Sequence, residues 1–141
     1  MSIKVVYWSG TGNTAEMANL VAKGIQDAGK EAELLTVEST TPEALAGETV
    51  YALGCPSMGD EVLEEDVMEP FVAALLGSVS GKKIALFGSY GWGDGQWMRD
   101  WVKRMEDAGA TVVGGGVIAN GFPEGGDRDL CENLGKELAG C

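Results

Sequence analysis

The sequence predicts an α/β domain in which five parallel strands are covered by helices on both faces. Two observations predict it. Strand-like apolar segments alternate with helix-like amphipathic segments along all 141 residues, which is typical of a parallel sheet covered on both sides. Loops rich in glycine and polar residues follow the first, third and fourth strands, where doubly wound sheets bind ligands. At 14.7 kDa, the chain is expected to be one domain, residues 1–141.

The first half of the chain is predicted to contain three strands, one long helix and one short helical turn. Residues 3–8 form a buried strand, and residues 14–28 form a helix that stops before Gly29. Residues 31–37 form the second strand. The Thr41-Pro42 pair starts a short helical turn, since proline suits the first helical position. Residues 49–54 form the third strand.

The second half continues the alternation. The predicted elements are a helix over 62–76 interrupted near Pro70, a strand over 82–88, a helix over 96–108, a strand over 111–119 and a helix over 127–139. Trp97 and Trp101 share a helix face and are predicted to lie in the core, as is Trp8, which could also touch the site edge. The acids Glu64, Glu65 and Asp66 are interpreted as residues that favour the start of the next helix.

The charge balance restricts the partners and the chemistry. With 22 acidic and 10 basic residues, the chain carries a net charge of −12. Such a surface repels nucleic acid and anionic membranes, and it attracts basic protein partners. The absence of histidine excludes His-based catalytic triads and the usual His zinc sites.

The cysteines and the first residues predict a cytoplasmic protein. Cys55, Cys131 and Cys141 form no C-x-x-C pair, and an odd count without a secretory leader suits a reducing compartment. Lys4 and Val5 already belong to the first strand, so we expect no signal peptide. No apolar run is long enough to span a bilayer.

The loop after the first strand predicts a phosphate site. Helix N-termini favour anions because their first N–H groups lack internal partners. Hydroxyl and amide side chains add donors here without any Lys or Arg, whereas a P-loop for polyphosphates would end in Gly-Lys-Ser/Thr. An ordinary strand-to-helix turn is the alternative for this composition. The loop reads Ser9-Gly10-Thr11-Gly12-Asn13-Thr14.

Two further loops predict the binding of a planar ring. Trp92 lies between two glycines, where a large aromatic side chain most often stacks on a planar group, although packing onto the core is the alternative. Met58 has a polarizable side chain that can cover a ring. Gly59 permits a positive φ, and the Glu61 carboxylate can accept from an imide N–H. A ring between Met58 and Trp92, with a phosphate at residues 9–14, describes a mononucleotide such as FMN.

On these motifs the chain resembles the short-chain flavodoxins, in the branch that covers the flavin with Met and Trp. The matching segments are residues 5–14, 54–65 and 86–95, in the family's order. The resemblance covers essentially the whole chain and weakens after Gly115. It implies a flavodoxin-like three-layer sandwich with the strand order 2-1-3-4-5, without the insertion that long-chain members carry in the fifth strand.

The resemblance also implies a function. The chain would bind FMN non-covalently and act as a low-potential one-electron carrier that shuttles between semiquinone and hydroquinone, not as an enzyme. Its partners would be basic docking surfaces of redox proteins, such as reductases and low-potential oxidoreductases, and it would be a monomer. No catalytic residue and no metal site is predicted.

The resemblance assigns roles to individual residues. The hydroxyl and amide side chains of residues 9–14 would hold the phosphate, Met58 and Trp92 would sandwich the ring, and Glu61 would bind the flavin N3–H. The Gly59–Asp60 peptide would turn over on one-electron reduction. Gly91 would contact the pyrimidine edge, and Ser89 the phosphate or ribityl chain. The predicted FMN-binding residues are Ser9, Gly10, Thr11, Gly12, Asn13, Thr14, Ser57, Met58, Gly59, Asp60, Glu61, Ser89, Tyr90, Gly91, Trp92 and Gly93.

Other classes of protein share parts of this pattern. Gly10-x-Gly12-x-x-Ala15 with Glu38 is similar to a dehydrogenase fingerprint, but the chain lacks a substrate domain and the Gly59 and Trp92 loops stay unexplained. An FMN-dependent quinone reductase usually carries insertions. A phospho-receiver module needs an Asp after the third strand, where this chain has Gly54-Cys55. Cys55 lacks the downstream Arg of a phosphatase loop and is expected to be a small buried residue.

Overall fold

A computed structural model of the protein describes residues 2–141, and it has the predicted alternation of strands and helices. The elements are β1 (Ser2–Tyr7), α1 (Asn13–Asp27), β2 (Glu31–Thr36), α2 (Pro42–Ala46), β3 (Val50–Gly54), α3 (Met68–Leu75), β4 (Lys83–Tyr90), α4 (Gln96–Asp107), β5 (Thr111–Asn120) and α5 (Gly126–Ala139). Except at α3, the predicted bounds differ from these by no more than two residues. None of the helices within residues 2–141 is long and apolar enough to cross a bilayer.

The five strands form one parallel sheet in the order β2-β1-β3-β4-β5, as expected. The chain winds from β1 to the edge strand β2 and then back across β1 to β3. The winding direction therefore reverses between β1 and β3. The loops that follow these two strands lie at the carboxyl edge of the sheet, where open α/β folds bind ligands.

Two apolar cores fill the spaces between the three layers. Side chains alternate across each strand, so Val5 faces α1 and α5 while Val6 faces α3 and α4. Trp97 and Trp101 are buried in the core between the sheet and helices α3 and α4, as predicted, with exposed fractions of 2% and 1%.

Helices α1 and α5 approach each other closely at two glycines. A Cβ atom on Gly24 would overlap the carbonyl group of Glu132, and a Cβ atom on Gly135 would overlap the carbonyl group of Val21. Only a residue without a side chain permits this backbone-to-backbone contact. Because α1 begins at the loop of residues 9–14, the contact with α5 fixes the helix that presents this loop.

Strand β5 is interrupted in its middle. Ala85 pairs with Val113 and Phe87 pairs with Val117, so one residue of β4 faces three residues of β5. The three residues Gly114–Gly116 have φ values of 77°, 71° and 89°, a conformation that glycine adopts without steric cost. The predicted fifth strand is therefore present, but it contains a three-residue bulge at Gly114–Gly116.

Helix α3 begins later than the predicted helix over 62–76. Met58 and Val62 form an antiparallel pair with N–H···O distances of 2.9 and 3.0 Å, so the chain still turns where a helix was expected. The helix starts at Met68, and Pro70 lies in its first turn, where the missing N–H costs nothing. The predicted interruption near Pro70 is wrong for this reason.

Candidate functional site

A cleft of about 250 Å³ opens at the carboxyl edge of the sheet. The loops that follow β1, β3, β4 and β5 form its walls. The lining residues are Trp8, Gly10, Thr11, Asn13, Pro56, Ser57, Met58, Ser89, Tyr90, Gly91 and Gly121. Three of the loops were expected at this position from the sequence, because the carboxyl ends of parallel strands share one edge.

The loop of residues 9–14 is held by its first residue. The Ser9 hydroxyl oxygen accepts from the N–H groups of Gly12 and Ala15, at 3.1 and 3.3 Å, and so closes the loop onto the start of α1. Within residues 2–141 no acceptor is found for four other N–H groups at this helix start. They belong to Gly10, Thr11, Asn13 and Thr14. These free donors, at a positive helix end, suit an anion.

Ser89 joins three of the loops around the cleft. Its N–H donates to Oγ1 of Thr14 at 3.3 Å, its hydroxyl donates to the carbonyl of Gly121 at 2.7 Å, and its carbonyl accepts from Ser57 at 3.0 Å. The hydroxyl hydrogen of Ser89 is thus already used within the protein, so toward a ligand this side chain can act only as an acceptor. The Thr14 hydroxyl still has its hydrogen to donate.

The turn of residues 58–62 carries two left-handed residues. Gly59 has φ 50° as its position in the turn requires, and Glu61 has φ 58°. For a residue with a side chain this conformation costs about 1–2 kcal/mol. One oxygen of the Glu61 carboxylate accepts from the N–H of Asp94 at 2.8 Å, and this bond to a charged group offsets the cost. It also links the loops after β3 and β4.

The two apolar side chains predicted to cover a ring are both accessible. Met58 lines the cleft with 37% of its surface exposed, and Trp92, two residues after the end of β4, is 61% exposed. The alternative that Trp92 packs onto the core is therefore wrong. Tyr90 lines the cleft and packs against Trp97 with ring centroids 5.6 Å apart.

Cys55 lies directly behind the cleft and is a structural residue. Its side chain is fully buried, and burial raises the pKa of its thiol to about 12. A thiol in this state is a poor nucleophile, which agrees with the expectation that it is a small buried residue. Its carbonyl accepts from the indole N–H of Trp97 at 3.1 Å.

Sequence reasoning missed some of the wall residues. Gly121 follows β5. Its position after a strand of the same parallel sheet is the only feature of the sequence that indicates a place at the carboxyl edge. The Trp8 ring packs partly against the core and lies against Gly10, where a Cβ atom would be 3.1 Å from it. Trp8 thus lines the site edge as expected, whereas the prediction that it belongs to the core holds only in part, because its ring is half-buried.

The fold and the cleft together define a doubly wound α/β protein that binds a mononucleotide at its switch point. The sequence model of the flavodoxin family matches residues 5–134. The chain is 49% identical to the flavodoxin of Clostridium beijerinckii, over 97% of this chain and 99% of that protein. It is 45% identical to the flavodoxin of Megasphaera elsdenii, over 97% of this chain and 98% of that one.

Solved structures agree with these sequence matches. The solution structure of the two-electron reduced Megasphaera elsdenii flavodoxin superimposes with a TM-score of 0.91, covering 99% of both chains at 45% identity. A flavodoxin from the domain Archaea gives a TM-score of 0.86 at 25% identity, over 99% of this chain and 97% of that one. The chain belongs to the flavodoxin family, whose members are FMN-binding electron carriers and not enzymes. The dehydrogenase, quinone reductase and phospho-receiver alternatives are therefore set aside.

The residues present fit FMN. The free N–H groups at the start of α1 match a phosphate without any cation, and the exposed Met58 and Trp92 offer apolar surface to a flat ring. The Asp94 N–H bonds to one oxygen of the Glu61 carboxylate, and no donor to the second oxygen is found within residues 2–141. The sixteen individual FMN contacts expected from the sequence stay predictions.

Proposed function

We propose that this chain, as a single domain over residues 1–141, carries single electrons between redox proteins at low potential. FMN supplies the one-electron chemistry when bound. The observation that carries the proposal is that the anion loop without a cation and the accessible Met58 side chain line one cleft at the switch point of the sheet. The proposed contacts are the phosphate loop Ser9–Thr14, the turn residues Ser57–Glu61 and the loop Ser89–Gly93.

The phosphate loop would select the mononucleotide through neutral donors. Four backbone N–H groups and the hydroxyl of Thr14 can donate to the phosphate oxygens, and the partial positive charge at the start of α1 favours the dianion. Ser9 would have two roles, since its oxygen accepts two N–H groups and so holds the loop in shape, while its hydroxyl hydrogen can be donated to the phosphate.

The acidic rim would set the potential. A carboxylate about 10 Å from a negative charge opposes it by about 1.7 kcal/mol at an effective dielectric constant near 20. That corresponds to about 70 mV for one electron, before screening by salt. Asp60 and Glu61 lie in the loop after β3, and together they would make the addition of a second electron harder than the first. Asp94, in the loop after β4, contributes less because its carboxylate is paired with Arg99 at 2.9 Å.

The acidic surface would also determine which proteins dock on this one. We propose that it binds basic surfaces of reductases and low-potential oxidoreductases, because a net charge of −12 speeds the encounter with cationic proteins. We propose a monomer in the cytoplasm. The three cysteines are free, which agrees with a reducing compartment.

Replacing Trp92 by alanine is expected to restore flavin fluorescence and to weaken FMN binding about tenfold. A stacked indole quenches the emission of a flavin, and its loss removes about 1–2 kcal/mol of apolar contact. Emission spectra and a fluorimetric titration of the apoprotein with FMN measure both effects. Leu130→Ala removes another exposed apolar side chain, 53% accessible on α5, and serves as the control. Emission equal to that of the parent would place Trp92 away from the flavin.

Replacing Glu61 by glutamine is expected to weaken FMN binding about tenfold. The change keeps the shape but weakens the bond to the N–H of Asp94 and the bond expected to the flavin, and bonds to charged groups contribute about 1.5–3 kcal/mol. Titration of the apoprotein measures it. Glu65→Gln removes the same charge from an exposed neighbour. Equal affinities of the two variants would mean that only the charge of Glu61 matters.

Stepwise reduction of the purified protein without oxygen tests the proposed function. Absorption spectra should show flavin bands that change in two resolved one-electron steps. A single two-electron bleaching would contradict the carrier proposal and favour a flavin enzyme. A colourless protein that takes up no added FMN would contradict it altogether.

A further inference from the structure

One buried carboxylate lies in the segment that leads into helix α3. Glu64 lies two residues after the turn of residues 58–62 and is 7% exposed. Its side chain and its carbonyl together accept from four consecutive N–H groups, the last two of which belong to the first turn of α3 and have no partner within the helix. The donors to the side chain are Asp66 at 2.9 Å, Val67 at 2.7 Å and Met68 at 2.9 Å, and the donor to the carbonyl is Glu69 at 2.8 Å.

The same residue is tied to the end of β3. The backbone N–H of Glu64 donates to Sγ of Cys55 at 3.4 Å, in a buried position. Cys55 is held in turn by Trp97 from α4, through its carbonyl, and by Phe87 of β4, through its N–H. Residues 55 and 64 therefore close the base of the loop that contains Met58, Gly59 and Glu61.

Glu64 is held as a carboxylate by backbone groups. Burial raises its pKa, but the three N–H bonds from Met68, Asp66 and Val67 together outweigh burial, so the pKa lies below its ordinary value. Within residues 2–141 no Lys or Arg forms a salt bridge with it. A glutamine at this position would turn an NH₂ group toward backbone donors, so the arrangement depends on the ionised side chain.

We propose that Glu64 is a positioning residue which, by fixing the end of the turn of residues 58–62, sets the gap between the two one-electron potentials of the bound flavin. The inference rests on the proposed function. The turn contains a strained left-handed residue, Glu61, and it keeps this geometry only while both of its ends are held. A turn released at Glu64 would relax, and its contacts with each oxidation state of the cofactor would change by different amounts.

Three variants test this role. Glu64→Gln removes the carboxylate, Glu64→Asp keeps it on a side chain shorter by one methylene, and Glu65→Gln removes one charge from the exposed neighbour. We expect Glu64→Gln to change the formation constant of the singly reduced protein at least threefold, or about 28 mV at 59 mV per tenfold change. Glu64→Asp should stay within 1.5-fold of the parent, and Glu65→Gln should shift both potentials together.

A second measurement needs no cofactor. Hydrogen exchange of the N–H groups of Met58 and Val62 in the apoprotein should be at least tenfold faster in Glu64→Gln and unchanged in Glu65→Gln. The proposal would be overturned by two results together in Glu64→Gln. The N–H groups of this turn would exchange at the parental rate, and the gap between the two potentials would equal that of Glu65→Gln. If the parent protein takes up electrons in one two-electron step, the proposed function fails, whereas faster exchange in Glu64→Gln would still establish the hold on the turn.

Discussion

Replacing Gly135 by alanine is expected to lower the free energy of unfolding of the apoprotein by about 3 kcal/mol. The new methyl group would overlap the backbone carbonyl of Val21, and neither helix backbone can move without disturbing its packing on the sheet. Overpacking a core typically costs about 1–3 kcal/mol and occasionally more, and rigid backbone on both sides puts the cost of the overlap at this site at ~4 kcal/mol. The gain in helix propensity of about 1 kcal/mol is too small to offset the overlap. Urea denaturation measures the change, and the melting temperature should fall by about 10 °C.

Gly126→Ala provides the matched control in the same helix. A Cβ atom on Gly126 has no heavy atom within 4 Å, so this variant should remain within about 0.5 kcal/mol of the parent. If Gly135→Ala were as stable as Gly126→Ala, the close contact of α1 and α5 would not be a feature of the protein in solution.

Replacing Thr11 by aspartate is expected to weaken FMN binding about a thousandfold while leaving riboflavin binding within about threefold of the parent. Thr11 lines the cleft in the loop that has no cation. A carboxylate roughly 4 Å from a phosphate charge opposes it by about 4 kcal/mol at an effective dielectric constant near 20, and 1.4 kcal/mol is a factor of ten in affinity. Riboflavin lacks the phosphate, so the ratio of the two dissociation constants isolates this loop.

The control is Thr111→Asp, which adds the same charge at an exposed position. Thr111 begins β5 and so lies at the amino ends of the strands, away from the cleft at their carboxyl ends. Titration of both apoproteins with FMN and with riboflavin gives the four constants. If Thr11→Asp weakened the two ligands equally, the phosphate would not be held at residues 9–14.

The sequence was sufficient for the fold because its periodicities are clear and agree with one another. The buried runs of β1, β3 and β4 and the apolar face of α1 predict their own elements, and the alternation then predicts a parallel sheet. The strand order came from resemblance, since periodicity leaves several orders open. The interruption of β5 was not predicted, although three consecutive glycines, Gly114–Gly116, are unusual inside a strand and indicate it.

The sequence predicted which loops form the candidate site, but it did not predict the backbone conformation of those loops or the bonds between them. Residue types signalled an anion loop at Ser9–Thr14 and a ring site at Met58 and Trp92. The late start of α3 was missed because the acids before it, which include Glu64, were interpreted only as charges near a helix dipole. The left-handed Glu61 was missed as well, because its bond to Asp94 joins two loops more than thirty residues apart in the chain.

The three-residue bulge in β5 affects how copies of the protein can meet. β5 and β2 are the two edges of the sheet, and an open edge is a template on which a further strand can add. Gly114–Gly116 bend β5 out of the regular ladder, and β2 exposes the like charges of Glu31 and Glu33. Both edges thus discourage sheet extension from one copy to the next, which lowers the tendency of a crowded solution of this carrier to form fibrous aggregates.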